Sequence, residues 1–322
     1  MFRSSSLVTL TVAVSMLVGA GVFAQKPATN PTQTKPPQAP QKDDNPQKIG
    51  VLEVRLPISV KQNKKFVAGL TQNNFEVYED GKRQKIEKFI SPSDLPLYVA
   101  LLIDTSNSVK LKLPFEKDAG EDFTATVTKS RKKDKILLAS FDSAVELHQD
   151  FTDNQELLIS ALRKLKAGGY TKMYDAVCRV IEEKLSNVLA TDARRIIVVL
   201  SDGEDTASER TLREAIEMAQ RYDVTIFGIS TKNFRGATSG LVENADDKEL
   251  RKLCEETGGQ VFLPSEKVEL FRAFTQVAQD LRQEYVVFYT PSNQTKAAKR
   301  REIRVKLVAS DGHPYHKQGY VY

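Results

Sequence analysis

From Leu97 onward the sequence alternates between two periodicities, and that alternation limits the fold more than any other feature. Short, continuous apolar runs rich in β-branched residues occur at Leu97–Ile103, Ile136–Phe141, Ile196–Leu200 and Thr225–Ile229. Strands read this way when both of their faces are covered. Between and after them lie helical patterns at Phe115–Val127, Asn154–Leu165, Met173–Leu185, Glu209–Tyr222 and Lys248–Glu256. A short strand at Gln260–Leu263 and a long amphipathic stretch at Val268–Glu284 follow, the latter carrying Leu270, Phe271, Phe274, Val277, Ala278 and Leu281 at helical spacing. The expected fold is α/β: a doubly wound, mostly parallel, Rossmann-like sheet with helices on both faces.

Both flanks of this region read as β. Val51–Leu56 and Ile58–Val60 suggest a strand broken or bulged at Pro57. Phe75–Glu79 alternates cleanly, and Asp80-Gly81 then turns the chain into a hairpin strand at Gln84–Phe89. After Glu284 the segments Tyr285–Thr290, Glu302–Val308 and Gly319–Tyr322 are β in character. Neither flank is large enough to stand alone. The economical arrangement pairs them in one antiparallel unit, with the α/β domain inserted between residues 94 and 284 and the flanks at 49–93 and 285–322.

Residues 1–24 read as a signal peptide: Arg3 gives the basic start, Leu7–Ala20 the apolar run, and Val22-Phe23-Ala24 the cleavage site before Gln25. The alternative is an uncleaved membrane anchor, since the run is only just long enough to span. Residues 25–48 are rich in Pro, Gln, Lys, Thr and Asn and read as a disordered linker. The expected location is therefore periplasmic or secreted, in a bacterial envelope, with membrane association only if the N-terminal segment stays uncleaved. The 47 cations nearly balance the 42 anions, and the basic runs Lys129–Lys135 and Lys296–Arg301 are short and lack interleaved aromatics. They read as solvated turns, and no nucleic-acid partner is expected. Cys178 and Cys254, the only two cysteines, sit in apolar helical patterns and read as buried thiols, with a disulfide as the alternative.

In an open α/β sheet, ligands bind beyond the carboxyl ends of the strands. Three polar clusters fall at such ends: Asp104-Thr105-Ser106-Asn107-Ser108, Gly168-Gly169-Tyr170-Thr171, and Ser201-Asp202-Gly203-Glu204-Asp205. Asp104, Ser106, Ser108, Thr171 and Asp202 together supply two carboxylates and three hydroxyls, with no imidazole or thiolate. Such hard oxygen donors suit Mg²⁺, Mn²⁺ or Ca²⁺ and are poor for zinc or copper. With few direct negative charges the cation would stay electrophilic and keep a position open to an outside carboxylate. Asp104–Ser108 and Thr171 could also serve simply as helix caps. Asp175 and Glu204 read as neighbours of the site, and Asp205 as part of a turn.

The spacing Asp104-x-Ser106-x-Ser108, followed by Thr171 and then Asp202, resembles the metal-ion-dependent adhesion site (MIDAS) of von Willebrand factor type A domains. The surrounding GGYTKMYDAV and IIVVLSDGEDT agree with it. The flanking FEVYEDGKRQKIEKF and LRQEYVVFYTPSN…REIRVKLV are similar to exported bacterial proteins related to those domains. The resemblance implies a cation-dependent, adhesion-type binding module, not an enzyme, whose protein partner presents an exposed Asp or Glu; the long loop Phe234–Asp247 could add contact surface. Two other functions stay open. One is a structural envelope component whose metal only stabilises the loops. The other is a metal-dependent phosphohydrolase, disfavoured because Ser106 stands where haloacid dehalogenase-type enzymes need a second carboxylate, and because His148, His313 and His316 lie far from the site in sequence.

Overall fold

A computed structural model describes residues 52–63, 65–91, 95–130, 133–188, 193–202, 205–232, 247–295 and 299–321, all within one compact unit spanning Gly50–Tyr322. The segments expected to be a signal peptide (1–24) and a linker (25–48), Gly203, Glu204 and residues 234–246 of the long loop lie outside the described residues. The chain opens with β1 (Val54–Gln62), β2 (Lys65–Phe66), β3 (Phe75–Glu79), β4 (Lys82–Gln84) and β5 (Ile86–Ile90). The α/β region then runs β6 (Leu97–Asp104), α1 (Leu113–Ser130), β7 (Lys135–Phe141), β8 (Val145–Thr152), α2 (Gln155–Lys164), α3 (Met173–Val180) and β9 (Arg194–Ser201). It continues through α4 (Leu212–Arg221), β10 (Val224–Ser230), α5 (Lys248–Glu256), β11 (Val261–Phe262) and α6 (Lys267–Asp280). The chain closes with β12 (Tyr285–Tyr289), β13 (Arg300–Leu307), β14 (His313–His316) and β15 (Gly319–Val321).

The central sheet has the order β11-β10-β9-β6-β7-β8, parallel throughout except for the antiparallel edge strand β8. Alternate residues of the buried strands feed two separate cores, as the twofold strand period requires. Val99, Leu101 and Ile103 of β6 pack with α1, α2 and α6; Ala100 and Leu102 pack with α3, α4 and α5. The expected doubly wound α/β fold is the fold observed. At Gly228, a Cβ would meet Leu250 Cγ at 2.8 Å and Cys254 Sγ at 2.9 Å, so α5 lies directly on the β10 backbone. Cys178 and Cys254 are both free and buried, and burial pushes the Cys178 thiol up to about 12.

The flanking strands form two antiparallel sheets where the sequence suggests one unit. The order β14-β1-β12-β5, with β2 added on β1, makes the first; β15-β13-β3-β4 makes the second. Their inner faces share a core of Leu56, Ile58, Val77, Tyr285, Val287, Ile303 and Val305, among others. The expected hairpin strand at Gln84–Phe89 is split at Lys85: β4 pairs with β3, and β5 crosses to pair with β12. β1 passes through Pro57 unbroken, because β14 begins pairing only at Ile58 and no ladder bond is lost on that side. The run ending at Arg301 is also not a solvated turn throughout. Arg301 is buried in β13, where its guanidinium donates to Glu79 Oε1 at 2.9 Å, and Tyr289 and Tyr320 donate to Glu79 Oε2 at 2.8 Å. A charge is tolerated there because it is paired and its partner is fully hydrogen-bonded.

Candidate metal centre

The apolar strand β6 is buried along its length and delivers Asp104 to the carboxyl edge of the sheet, level with Phe141 of β7. Asp104 immediately closes a tight turn. Its Oδ1 accepts from Ser106 N at 2.8 Å, and its Oδ2 accepts from Ser201 Oγ of β9 at 2.6 Å. With both oxygens engaged and no solvent exposure, this carboxylate is fixed in orientation.

The turn then places Ser106 Oγ 2.8 Å from Ser108 Oγ, and Ser108 Oγ donates to Asp202 Oδ1 at 2.8 Å. Asp202 directly follows β9, so the two adjacent strand ends bring both loops together. The 168–171 loop is pinned to the first turn by two backbone bonds, Gly168 N to Thr105 O (2.7 Å) and Asn107 N to Gly169 O (3.2 Å). Gly169 has φ +82°, and a Cβ there would meet Ser143 Oγ at 2.6 Å, so the turn admits only glycine without strain. Thr171 is held by its backbone: its carbonyl accepts from Thr206 N and Ala207 N, and its N–H donates to Thr206 Oγ1. Its hydroxyl is unengaged among the described residues.

Asp104, Ser106, Ser108 and Asp202 thus share one hydrogen-bonded chain, and Thr171 stands on the loop clipped against it. Of the five, Ser108 alone is exposed; the others are buried beneath it. Two large side chains adjacent in sequence to the site, Leu111 and Tyr170, are 62% and 70% exposed. Asp205 belongs to a turn, accepting from Tyr174 N and from Ser208, while Asp175 accepts from Glu209 N and Arg210 N.

Two charged residues at the site escape a reading of the sequence. Lys112 Nζ donates to Asp202 Oδ2 at 2.6 Å. Glu116, in the first turn of α1, has no exposed surface; its Oε1 accepts from Thr231 Oγ1 at 2.9 Å, and its Oε2 has no hydrogen-bond partner among the described residues. The available signal was their i, i+4 spacing just after the serines, but such a pair reads first as a solvated helix face.

Burial dominates the electrostatics. It pushes Asp104 up to about 6, against the hydrogen bonds from Ser201 and Ser106. Burial pushes Glu116 up to about 8, and the charges of Asp104 and Asp202 add to it, while Thr231 and Lys112 oppose it. Among the described residues no cluster of three His, Cys, Asp or Glu side chains could hold a metal. The donors here are mainly hydroxyls, which fit a hard divalent cation, and the Lys112 ammonium already stands on Asp202 where positive charge is wanted.

The family model for the von Willebrand factor type A domain matches residues 99–284, more than half of the 322-residue chain. The chain belongs to the von Willebrand factor type A domain family. Solved structures similar to it include the vWF domain of the type V pili tip protein Mfa5 from Porphyromonas gingivalis, at 14% identity and a TM-score of 0.46, covering 59% of this chain and 95% of that one. The PilB minor pilin from Streptococcus sanguinis is 12% identical, with a TM-score of 0.45, over 59% of this chain and 62% of that one. A von Willebrand factor type A protein from Catenulispora acidiphila is 12% identical, with a TM-score of 0.48, over 83% of this chain and 72% of that one. None of the curated proteins matches the chain. Within the type A domain, the oxygen cluster lies at the carboxyl edge of the sheet, between β6 and β9.

Proposed function

We propose that this type A domain is an exported, cation-dependent protein-binding module. Asp104, Ser106, Ser108, Thr171 and Asp202 would hold Mg²⁺, with Mn²⁺ or Ca²⁺ as alternatives, and the partner would offer an exposed Asp or Glu. The observation that carries this reading is the Ser106–Ser108–Asp202 hydrogen-bonded chain, buried at both ends and open to solvent at its middle member, Ser108. A bound divalent cation supplies an electrophilic point that an outside carboxylate can complete. The chain's own residues do the rest. Asp104 is braced on both oxygens, so its charge stays aimed at the serines. Ser106 and Ser108 offer neutral oxygens, which leave positive charge at the site uncancelled. Leu111 and Tyr170, exposed and near the site in sequence, would offer apolar surface on which a protein partner can dry the contact.

A binding role also fits the surroundings better than catalysis. His148 is engaged with Ser140 Oγ at 2.6 Å, and His313 and His316 belong to β14 in the flanking sheets. Export rests on the N-terminal sequence; among the described residues no helix is long and apolar enough to cross a membrane. The test immobilises the chain and passes an envelope protein fraction over it with Mg²⁺, then with EDTA. Capture that needs Mg²⁺ and disappears in the folded Asp104→Ala, Ser106→Ala double variant is expected. Capture that is unchanged by EDTA and by the double variant would sink the proposal. Cation binding without any cation-dependent capture would favour the purely structural role.

A further inference from the structure

We propose that Lys112 is a built-in counter-cation of this centre, which yields Asp202 to an incoming divalent cation and passes one helical turn on to Glu116. The inference rests on the cation reading above and concerns how that site is filled.

The Lys112–Asp202 pair is 2.6 Å long, and its side chains are only 11% and 5% exposed. A buried lysine–carboxylate pair brings little net stability over apolar packing, so stability alone does not explain it. Its position is informative instead. Asp202 Oδ1 takes the hydrogen bond of Ser108, and Oδ2 takes the ammonium, so every described contact of this carboxylate lies within the candidate centre. An ammonium and a divalent cation repel strongly at such range in a buried setting, so both cannot share Asp202.

The geometry also provides a destination. The Lys112 carbonyl accepts from Phe115 N at 2.9 Å and Glu116 N at 3.1 Å, so its backbone is fixed at the start of α1. Only the flexible four-carbon stem has to move. Glu116 lies four residues on, at the spacing that brings helical side chains together. It is fully buried, and its Oε2 lacks any partner among the described residues. An orphaned buried oxygen of this kind is costly, and an ammonium arriving there satisfies it. In the cation-free state Lys112 pairs with Asp202; in the loaded state it donates to Glu116 Oε2.

The experiment titrates Mn²⁺ into the full chain by calorimetry, for wild type, Lys112→Met, Glu116→Gln and the double variant. Removing the competing ammonium should tighten Mn²⁺ binding by about tenfold or more. Glu116→Gln should weaken binding several-fold in the wild-type background and have little effect beside Lys112→Met, since the handover is then already gone. Lys112→Arg keeps the charge and the pocket, grips a carboxylate with two donors, and should weaken Mn²⁺ binding. The ¹H–¹⁵N resonance of the Lys112 ammonium should shift on addition of diamagnetic Mg²⁺. Equal affinities in wild type, Lys112→Met and Lys112→Arg would overturn the inference, as would a Glu116→Gln effect of the same size in both backgrounds. Folded variants and wild type that all fail to bind Mn²⁺ would instead overturn the cation reading itself, and Lys112 exchange with it.

Discussion

Asp104 and Glu116 are both buried acids, but they are not equivalent. Asp104 receives a hydrogen bond on each oxygen and is pushed up to about 6; Glu116 receives one in all and is pushed up to about 8. For Glu116 the folded state favours the protonated form over its ordinary 4.5, so that stability is fully present below pH 4.5 and lost as pH rises through about 8. In chelator, Glu116→Gln should match wild type in Tm near pH 5 and exceed it near pH 9, by an amount on the order of a few kcal/mol in unfolding free energy. A constant offset across that range would show that Glu116 does not titrate in the fold. Gly169→Ala forces a side chain into positive φ against Ser143, and should cost about 1–3 kcal/mol in urea unfolding. The loops that carry the five oxygen residues were legible in the sequence because each cluster follows a strand or precedes a helix at a readable boundary. Lys112 and Glu116 were not, because only the folded sheet brings Asp202 to the first and Thr231 to the second, and local pattern assigns such a pair to solvent.

Helices and central strands were readable where one face or both faces are uniformly apolar. β8 was not, since VELHQDFT lies on the sheet edge with one half-buried face and little apolar alternation. The split at Lys85 was equally hidden: the residues of β4 and β5 form a continuous β pattern, and only the two sheets they join distinguish them. The start of α4 falls three residues later than the pattern at Glu209 suggests, because Thr211 and Glu214 form a capping box. Thr211 Oγ1 accepts from Glu214 N, and Glu214 Oε2 accepts from Thr211 N at 2.8 Å. Thr211→Ala should therefore lower stability by about 1 kcal/mol, read from the denaturant midpoint at unchanged slope. No loss would mean that the box is fully replaced by water.

At the scale of the molecule, the type A domain and the flanking sheets are joined by buried charge as well as by chain. α6 leads through a short turn into β12, Lys61 of β1 is ion-paired with Asp280 at the end of α6, and Arg194 donates to Leu281 O and Glu284 O. Which strands of the two flanks would pair, and in what register, was not written in their local patterns. Asp280→Ala leaves Lys61 buried and uncompensated and should cost about 3–5 kcal/mol, whereas Lys61→Met with Asp280→Leu should recover most of it. Additive losses in that pair would contradict the coupling. At the carboxyl edge of the central sheet, Mn²⁺ counted by electron paramagnetic resonance shows whether the oxygen cluster holds a cation. Wild type should bind one tightly held Mn²⁺ per chain that Mg²⁺ displaces, and the folded Asp104→Ala, Ser106→Ala variant should bind none; equal Mn²⁺ uptake by both would mean that these residues hold no cation.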